Sequence, residues 1–280
     1  MGRASRDPYG VSAAPKPGGV SGRRKNRPRS ERGGGGAPAE DPYAPASVSG
    51  GATVLAPPDH FSPPPPYSPS VSRASHKLDS ILHSHLLALP APATVLDLGA
   101  APGGWSDCIG HYLSCWPGGA PPEKPLVVAV DLLRHPVPPA LHQFETHQLG
   151  PETAARLPGI LARQSGPLYA QLTHDFLTLD LALLPKPDLL LSDIAPSTTG
   201  MSSLDTDNQN QMALRVLALA EASLKRGGSA VVKIYNAGDR ALLEEIGEVA
   251  GRVFRRVKRV KPRGSRGESR EMFLLGLGRR

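Results

Sequence analysis

Hydrophobic positions along this chain follow two periods, and their alternation predicts strands interleaved with helices. Thr94-Val95-Leu96-Asp97-Leu98, Leu126-Val127-Val128-Ala129-Val130-Asp131, Asp188-Leu189-Leu190-Leu191-Ser192-Asp193 and Ser229-Ala230-Val231-Val232-Lys233-Ile234-Tyr235 are short, nearly continuous apolar runs. Such runs are read as strands buried on both faces. Elsewhere the spacing is helical. Residues 72–89 carry Leu78, Ile81, Leu82, Leu86 and Leu89 on one face, and Ser72 or Ser75 can cap the start. A Gly/Pro-rich loop, 99–105, leads into a helix that runs to about Trp116. Residues 134–170 read as irregular with one helix near 152–164. A long helix is expected over 207–226 with Gly227-Gly228 as its stop, and another after Asp239 to about Phe254. Closing strands are expected at 256–261 and 271–277. The alternation implies an α/β fold, a mostly parallel sheet covered on both faces.

Composition divides the chain of 280 residues in two. Residues 1–70 are rich in Pro, Gly, Ser, Ala and Arg and have no apolar period, so they are expected to be disordered. Residues 71–280 are expected to form one domain. The net charge of +7 concentrates around Arg23–Arg32 and in Arg252–Arg266, which favours a polyanionic partner, nucleic acid first. The two cysteines, Cys108 and Cys115, are seven apart; on one helix about 10 Å of rise separates them, too far for a disulfide. No metal-ligand spacing occurs, and no apolar run reaches membrane-spanning length, so no membrane partner is expected. The N-terminal arginines suit an organelle-targeting peptide, a nuclear signal or an RNA-binding arm equally well.

The chemistry concentrates at strand ends. Asp97, Asp131, Asp193 and Lys233 each fall at or near the end of a buried run. A charge there is costly unless it is paired or faces a site, and open α/β sheets bind ligands outside the carboxyl ends of their strands. The loop Asp97-Leu98-Gly99-Ala100-Ala101-Pro102-Gly103-Gly104-Trp105 lacks the Gly-x-Gly-x-x-Gly spacing of a dinucleotide cradle, though its glycines let backbone approach a ligand. Asp131 stands where an acid accepts ribose hydroxyls, which suits any adenosine-bearing cofactor.

Five ordered motifs then carry a resemblance. Ser72-Arg73-Ala74-Ser75-His76-Lys77-Leu78, DLGAAPGGW, Ser192-Asp193-Ile194-Ala195-Pro196, Val232-Lys233-Ile234-Tyr235 and Ser265-Arg266-Gly267-Glu268-Ser269-Arg270-Glu271 resemble, in order, the elements of the FtsJ/RrmJ family of RNA ribose 2′-O-methyltransferases. The resemblance runs from about 72 to 277. It implies a Rossmann-like fold dependent on S-adenosylmethionine, with a seven-stranded, mostly parallel sheet and helices on both faces. It implies a catalytic tetrad of Lys77, Asp193, Lys233 and Glu271. The implied cofactor residues are Asp97, Gly99, Pro102, Gly103, Gly104 and Trp105 in the first loop, Asp131 on the ribose, Asp175 on the adenine, and Asp193. His76 departs from the aromatic usual at its position, and 134–170 is longer than in compact bacterial members. The ending Gly267–Glu271 and the element Arg6-Asp7-Pro8-Tyr9 resemble the mitochondrial large-subunit branch, which methylates a ribosomal uridine.

A ribose 2′-hydroxyl must lose its proton as it attacks a methyl group. Lys233 is expected to take that proton or, as a charged donor, to stabilise the developing alkoxide. Asp193 is expected to orient it, with Glu271 and Lys77 holding the ribose. A lone strand-end lysine is commonly a snorkelling side chain, and the three partners in order are what argue otherwise. The expected substrate is ribosomal RNA or a large-subunit precursor particle, acted on by a monomer in the mitochondrion. A tRNA or mRNA-cap substrate, a nuclear or cytoplasmic site, and a non-catalytic RNA-binding assembly factor are the alternatives.

Overall fold

The computed structural model describes residues 67–68, 71–87, 89–117, 122–196, 201–262 and 269–280. All lie in the compact unit Leu55–Arg280. The expectation of disorder for residues 1–70 thus falls almost wholly outside the described residues, as does the 263–268 part of the last motif.

The helices are α1 (Ala74–Ile81), α2 (Gly104–Leu113), α3 (Leu157–Leu161), α4 (Ser202–Ser223) and α5 (Arg240–Val253). The strands are β1 (Thr94–Leu98), β2 (Leu126–Asp131), β3 (Glu145–Leu149), β4 (Leu168–Thr173), β5 (Leu189–Ser192), β6 (Ser229–Tyr235), β7 (Phe254–Val260) and β8 (Glu271–Arg279). They form one sheet in the order β3-β4-β2-β1-β5-β6-β8-β7. The first six are parallel, while β8 lies antiparallel between β6 and β7. From β1 the chain first adds β2 on one side and later β5 on the other, so the order reverses between β1 and β5. That reversal opens the crevice in which open α/β sheets place their ligands.

Residue parity distributes each strand between the two faces. Val95, Val127, Ala129, Leu189, Leu191, Val231, Phe273 and Leu275 pack with Leu78, Ile81 and Leu82 around α1 and with Ile109 and Tyr112 of α2. Leu96, Leu98, Val128, Val130, Leu190, Val232 and Leu274 pack instead with Leu157 of α3, Val216 and Leu217 of α4, and Ile246 and Ala250 of α5. Both faces of the central strands are therefore dry, which explains their continuous apolar character.

The sheet has eight strands where seven were expected. The two strands that no apolar run announced are β3, within 134–170, and β4, which begins there and runs to Thr173; 3₁₀ turns at Pro139–Leu141 and Pro151–Arg156 and the short α3 lie in the same region. The strand β3 is polar, whereas β4 is a buried, largely apolar run interrupted by Gln171. Gln171 is buried in the middle of β4, its amide 2.9 Å from Gln148 Nε2 of β3 and 2.6 Å from His135 Nδ1. The polar groups satisfy one another, so burial costs little although no hydrophobic period marks β3.

The first helix also departs from expectation. It ends as α-helix at Ile81 and continues as a π turn over Leu82–Leu86. Neither Ser72 nor Ser75 caps it: the N-cap is Arg73, and the Ser75 hydroxyl donates to the Ser72 carbonyl. The helix α2 stops at Leu113, so Cys115 lies beyond it, and both cysteines are free. The helix α4 starts at Ser202 and ends at Ser223, earlier at both ends than expected. Asp239 does cap α5, accepting from Ala241 N at 2.9 Å, a contact worth about 1 kcal/mol.

Tyr67, the first described residue, packs on the domain. Its hydroxyl donates to Asp107 Oδ2 at 2.6 Å, and its ring lies 5.4 Å from His111. Removing residues 1–66 is expected to leave the melting temperature of the domain unchanged. Removing residues 1–70 loses a hydrogen bond to a carboxylate worth about 1.5–3 kcal/mol and lowers melting by about 4–8 °C. Calorimetric scans of the two truncations check this; equal melting temperatures would show that Tyr67 contributes nothing.

Candidate active site

Period-two alternation brings the strand-end charges onto one face. Asp97 follows Val95, Asp131 follows Ala129, Asp193 follows Leu191, and Lys233 follows Val231, each two residues on along the α1/α2 face. Because β8 is antiparallel, its first residue reaches the same edge. Lys233 pairs with Phe273 and Tyr235 with Glu271, which leaves Glu271 and Lys233 on one face. Lys77 reaches them from α1.

The four tetrad residues form two ion pairs. Lys77 Nζ lies 2.7 and 2.8 Å from the two carboxylate oxygens of Glu271. Lys233 Nζ lies 3.1 Å from Asp193 Oδ1 and donates to the Asp193 main-chain oxygen at 3.2 Å. Lys233 and Glu271 are buried, with 6% and 9% of their surface exposed. Burial raises the Asp193 carboxyl above the usual range and outweighs the opposing charges of Lys233 and Lys77. The Oδ1 contact is an ion pair without hydrogen-bond geometry, so beyond its hydrogen bond to Asp193 O the Lys233 ammonium keeps donor capacity.

The loop after β1 is built by contacts within the protein. Gly99 (φ +72°) and Gly103 (φ +103°) hold left-handed backbone. A Cβ on Gly99 would stand 2.9 Å from Ile194 Cα, and one on Gly103 2.9 Å from the His135 ring. Gly104 is closed off by the Ser72 hydroxyl. These glycines thus let the Asp193-Ile194 segment and the 135–138 loop close on the first loop, whereas the sequence suggested approach to a ligand. Trp105 is 2% exposed, its indole N–H donates to Ala74 O at 2.9 Å, and its ring sits 5.4 Å from Phe273. Its side chain joins α1 to β8. Pro102 is exposed at the loop tip.

Asp97 is different. It is 1% exposed, accepts from the Ser106 hydroxyl through Oδ2 at 2.7 Å, and leaves Oδ1 buried without a hydrogen-bond partner. Burial pushes its carboxyl up to about 7, against the Ser106 hydrogen bond and with help from the Asp193 and Asp131 charges. An orphaned carboxylate oxygen at the carboxyl end of a central strand fits a cationic or N–H-bearing group. Asp131 already accepts from Ala101 N through Oδ2 and from Leu133 N through Oδ1, at 2.9 and 2.8 Å, so it anchors the loop whatever else it binds. Asp175 stands beside it, since His174 N donates to Asp131 O, and its Oδ1 accepts from Leu177 N at 2.9 Å.

Two site residues escaped the sequence reading. Gln209 and Asn210 are buried on α4. Gln209 Nε2 donates to the Lys233 carbonyl at 3.2 Å. Asn210 accepts from Tyr235 N at 2.9 Å and donates to the carbonyls of Tyr235 and Ala237 at 3.1 and 3.2 Å. Together they hold the end of β6 that carries Lys233. The available signal was the run Asp205-Thr206-Asp207-Asn208-Gln209-Asn210-Gln211, polar where a long helix should show an apolar stripe.

The sheet order with the crevice between β1 and β5 defines a Rossmann-like α/β protein, and its site is a buried lysine–carboxylate cluster beside a Gly-rich loop. A model described as FtsJ-like methyltransferase matches residues 70–279, and the chain belongs to that family. A protein of Rhodopseudomonas palustris (strain BisA53) named ribosomal RNA large subunit methyltransferase E is 33% identical over 215 residues, covering 74% of this chain and 75% of that protein. The protein of the same name from Ralstonia nicotianae is 31% identical over 206 residues, covering 73% and 84%. A solved structure from Plasmodium falciparum, assigned as a ribosomal RNA methyltransferase, shares the fold with a TM-score of 0.53 at 19% identity over 75% of this chain and 98% of that one.

Replacing Asn210 by Ala is expected to destabilise the domain by about 2–3 kcal/mol, because Tyr235 N and two carbonyls lose their partner at once. Urea denaturation measures this directly. A change below about 0.5 kcal/mol, the range of an ordinary surface substitution, would contradict the clamp.

Proposed function

We propose that this chain transfers a methyl group from S-adenosylmethionine to a ribose 2′-hydroxyl of ribosomal RNA. The observation that carries the reading is the pairing of Lys77 with Glu271 and of Lys233 with Asp193 at the carboxyl edge of the sheet. The names of the bacterial relatives support the RNA class. Within this reading the target is a uridine of the large subunit and the compartment the mitochondrion; both rest on the resemblances of Gly267–Glu271 and Arg6–Tyr9.

The residues present fit the cofactor. Asp97 Oδ1, buried and unpaired, receives its ammonium group. Asp131 would hold its ribose and Asp175 its adenine, with backbone from the 99–105 loop. S-adenosylmethionine, when bound, supplies a methyl group activated by a sulfonium. The chain's own work is to present the hydroxyl. The remaining donor capacity of Lys233 serves the 2′-oxygen, where Nζ takes the proton or holds the alkoxide. Asp193 fixes the direction of Nζ through two contacts. Glu271, itself oriented by Lys77, helps hold the ribose. Fixing both reactants in this way contributes a large part of the acceleration.

Transfer of labelled methyl groups onto fractionated RNA and large-subunit particles, followed by mapping of the modified nucleotide, tests the function. Methylation confined to base atoms would refute it. Lys233→Ala is expected to lower single-turnover transfer at least about a hundredfold, within the range for proton-transfer groups, while cofactor affinity holds. Wild-type turnover in that variant would remove Lys233 from the chemistry.

Cofactor affinity is also expected to depend on pH through Asp97. Burial holds its carboxyl up at about 7, and the ionised form is the one that pairs with an ammonium. Below that value binding must expel a proton, so affinity falls by up to about tenfold per pH unit from about pH 7 down to 5.5. Above it the dependence disappears. Calorimetry on the chain and on Asp97→Asn checks this: the variant binds weakly with a flat profile. A flat profile for the unaltered chain would show that Asp97 takes no part.

A further inference from the structure

A second feature lies at the opposite, amino-terminal edge of the sheet. A cavity of about 430 Å³ opens there between the π turn, the end of α2 and the starts of β5, β6 and β7. Its walls include Leu86, Leu89 and Trp116, and Arg226, Arg255 and Arg256 line it as well. This volume falls within the range of ligand pockets. All three arginines are exposed, and among the described residues none is held in an ion pair or a side-chain hydrogen bond. The carboxylate in the lining, Asp188, is already used: both its oxygens lie 2.9 Å from Lys225 Nζ, and Oδ2 also accepts from Ala93 N and Thr94 N. The cavity therefore carries uncompensated positive charge against an apolar wall.

Its position relates it to the active site. Ser229, in the lining, and Lys233 share a face of β6 four residues apart, about 13 Å along the strand. A basic track joins the two edges. Arg256 lies opposite Leu277 and Lys258 opposite Leu275, on the α1 side of β7, and that strand ends at Val260 opposite Phe273. Lys261 then donates to Ser269 O, two residues before Glu271. Lys258 stands near His85 of the π turn, whose imidazole is held low by burial and secondarily by the Lys258 charge.

We propose that this cavity is a second RNA-binding site, which takes one unpaired nucleotide of the substrate strand a few residues from the methylated ribose. Its phosphate binds Arg226, Arg255 and Arg256, its base rests on Leu89, and the intervening backbone follows the β7 track. Uncompensated arginines beside an apolar wall are the chemistry that recognises a phosphate attached to a flat, unstacked base. The inference rests on the reading of the substrate as RNA.

The test measures binding of a labelled single-stranded RNA of about twelve nucleotides, a length within the range that single-strand grooves cover. Three forms of the full chain are compared over a salt series. One is unaltered, one carries R226E, R255E and R256E, and one carries R156E, R163E and R215E, an equal change of charge around α3 and α4. The cavity variant is expected to bind at least about tenfold more weakly than the control variant, and its salt slope to fall by about 0.7, as for one lost phosphate contact on a single strand. Cofactor affinity and melting temperature should match the unaltered chain. Leu89→Glu, which leaves the arginines in place, is expected to weaken RNA binding as well. Equal affinities in the cavity and control variants overturn the proposal and leave the methyltransferase reading intact. No RNA binding by the unaltered chain overturns both. A glutamate dodecamer is run in parallel; loss of that peptide with RNA binding retained identifies a protein-docking site and overturns the proposal.

Discussion

The register between β6 and β8 is the constraint on which the site depends. Lys233 faces Phe273 and Tyr235 faces Glu271. Two residues of offset leave Lys233 and Glu271 on the same side of the sheet, the side that α1 covers. A slip of one residue would turn Glu271 to the α4/α5 face, strip Lys77 of its partner and drive Phe273 and Leu275 out of their cluster. The hydrophobic packing that pins the register, Phe273 against Trp105 and Leu275 beside Val231, also aligns the chemistry. Stability and function are coupled through this one pairing.

Around it the protein accepts electrostatic strain at one edge. Asp97 and Asp193 are buried carboxyls whose protons are held more tightly than usual, and the charges near Asp97 include both Asp193 and Asp131. Isolated, such groups would weigh against folding. Here Ser106, Lys233 and Lys77 compensate part of the cost, and a cationic ligand at the unpaired Asp97 oxygen would compensate more. Of the polar residues that bear on the site from behind, Asn210 and the β3–β4 glutamines are satisfied, while Gln209 leaves its buried Oε1 without a partner. Asn210 satisfies three backbone groups of β6 and the following turn, and the Gln148–Gln171–His135 network supports the loop beyond β2.

The first loop shows how a motif can be recognised for one reason and be built for another. Its glycines and its tryptophan are spaced like those of a cofactor loop. Yet Gly99, Gly103 and Gly104 are required by Ile194, His135 and Ser72, and Trp105 is a core residue between α1 and β8. What remains for a ligand is backbone and the acids at the loop's two ends. The pattern specifies a shape, and that shape locks α1, the end of β5 and the loop after β2 into one another.

Much of this was legible in the chain. The apolar runs of β1, β2, β5 and β6 are unambiguous because a strand dry on both faces needs continuous hydrophobic residues, and period two then dictates which strand-end charges share a face. The tetrad was likewise readable as four residues in order. Other features were decided only by tertiary structure. The polar strand β3 forms at the sheet edge because its Gln148 finds partners in Gln171 of β4 and the His135 carbonyl, which no local pattern reveals. The Gln209–Asn210 clamp depends on α4 crossing the end of β6, and the arginine-lined cavity on the starts of β6 and β7 meeting the π turn. Hydrophobic burial has a period that a sequence displays, whereas a hydrogen bond between side chains far apart in the chain has none, so its partner is known only once the backbone has brought the two together.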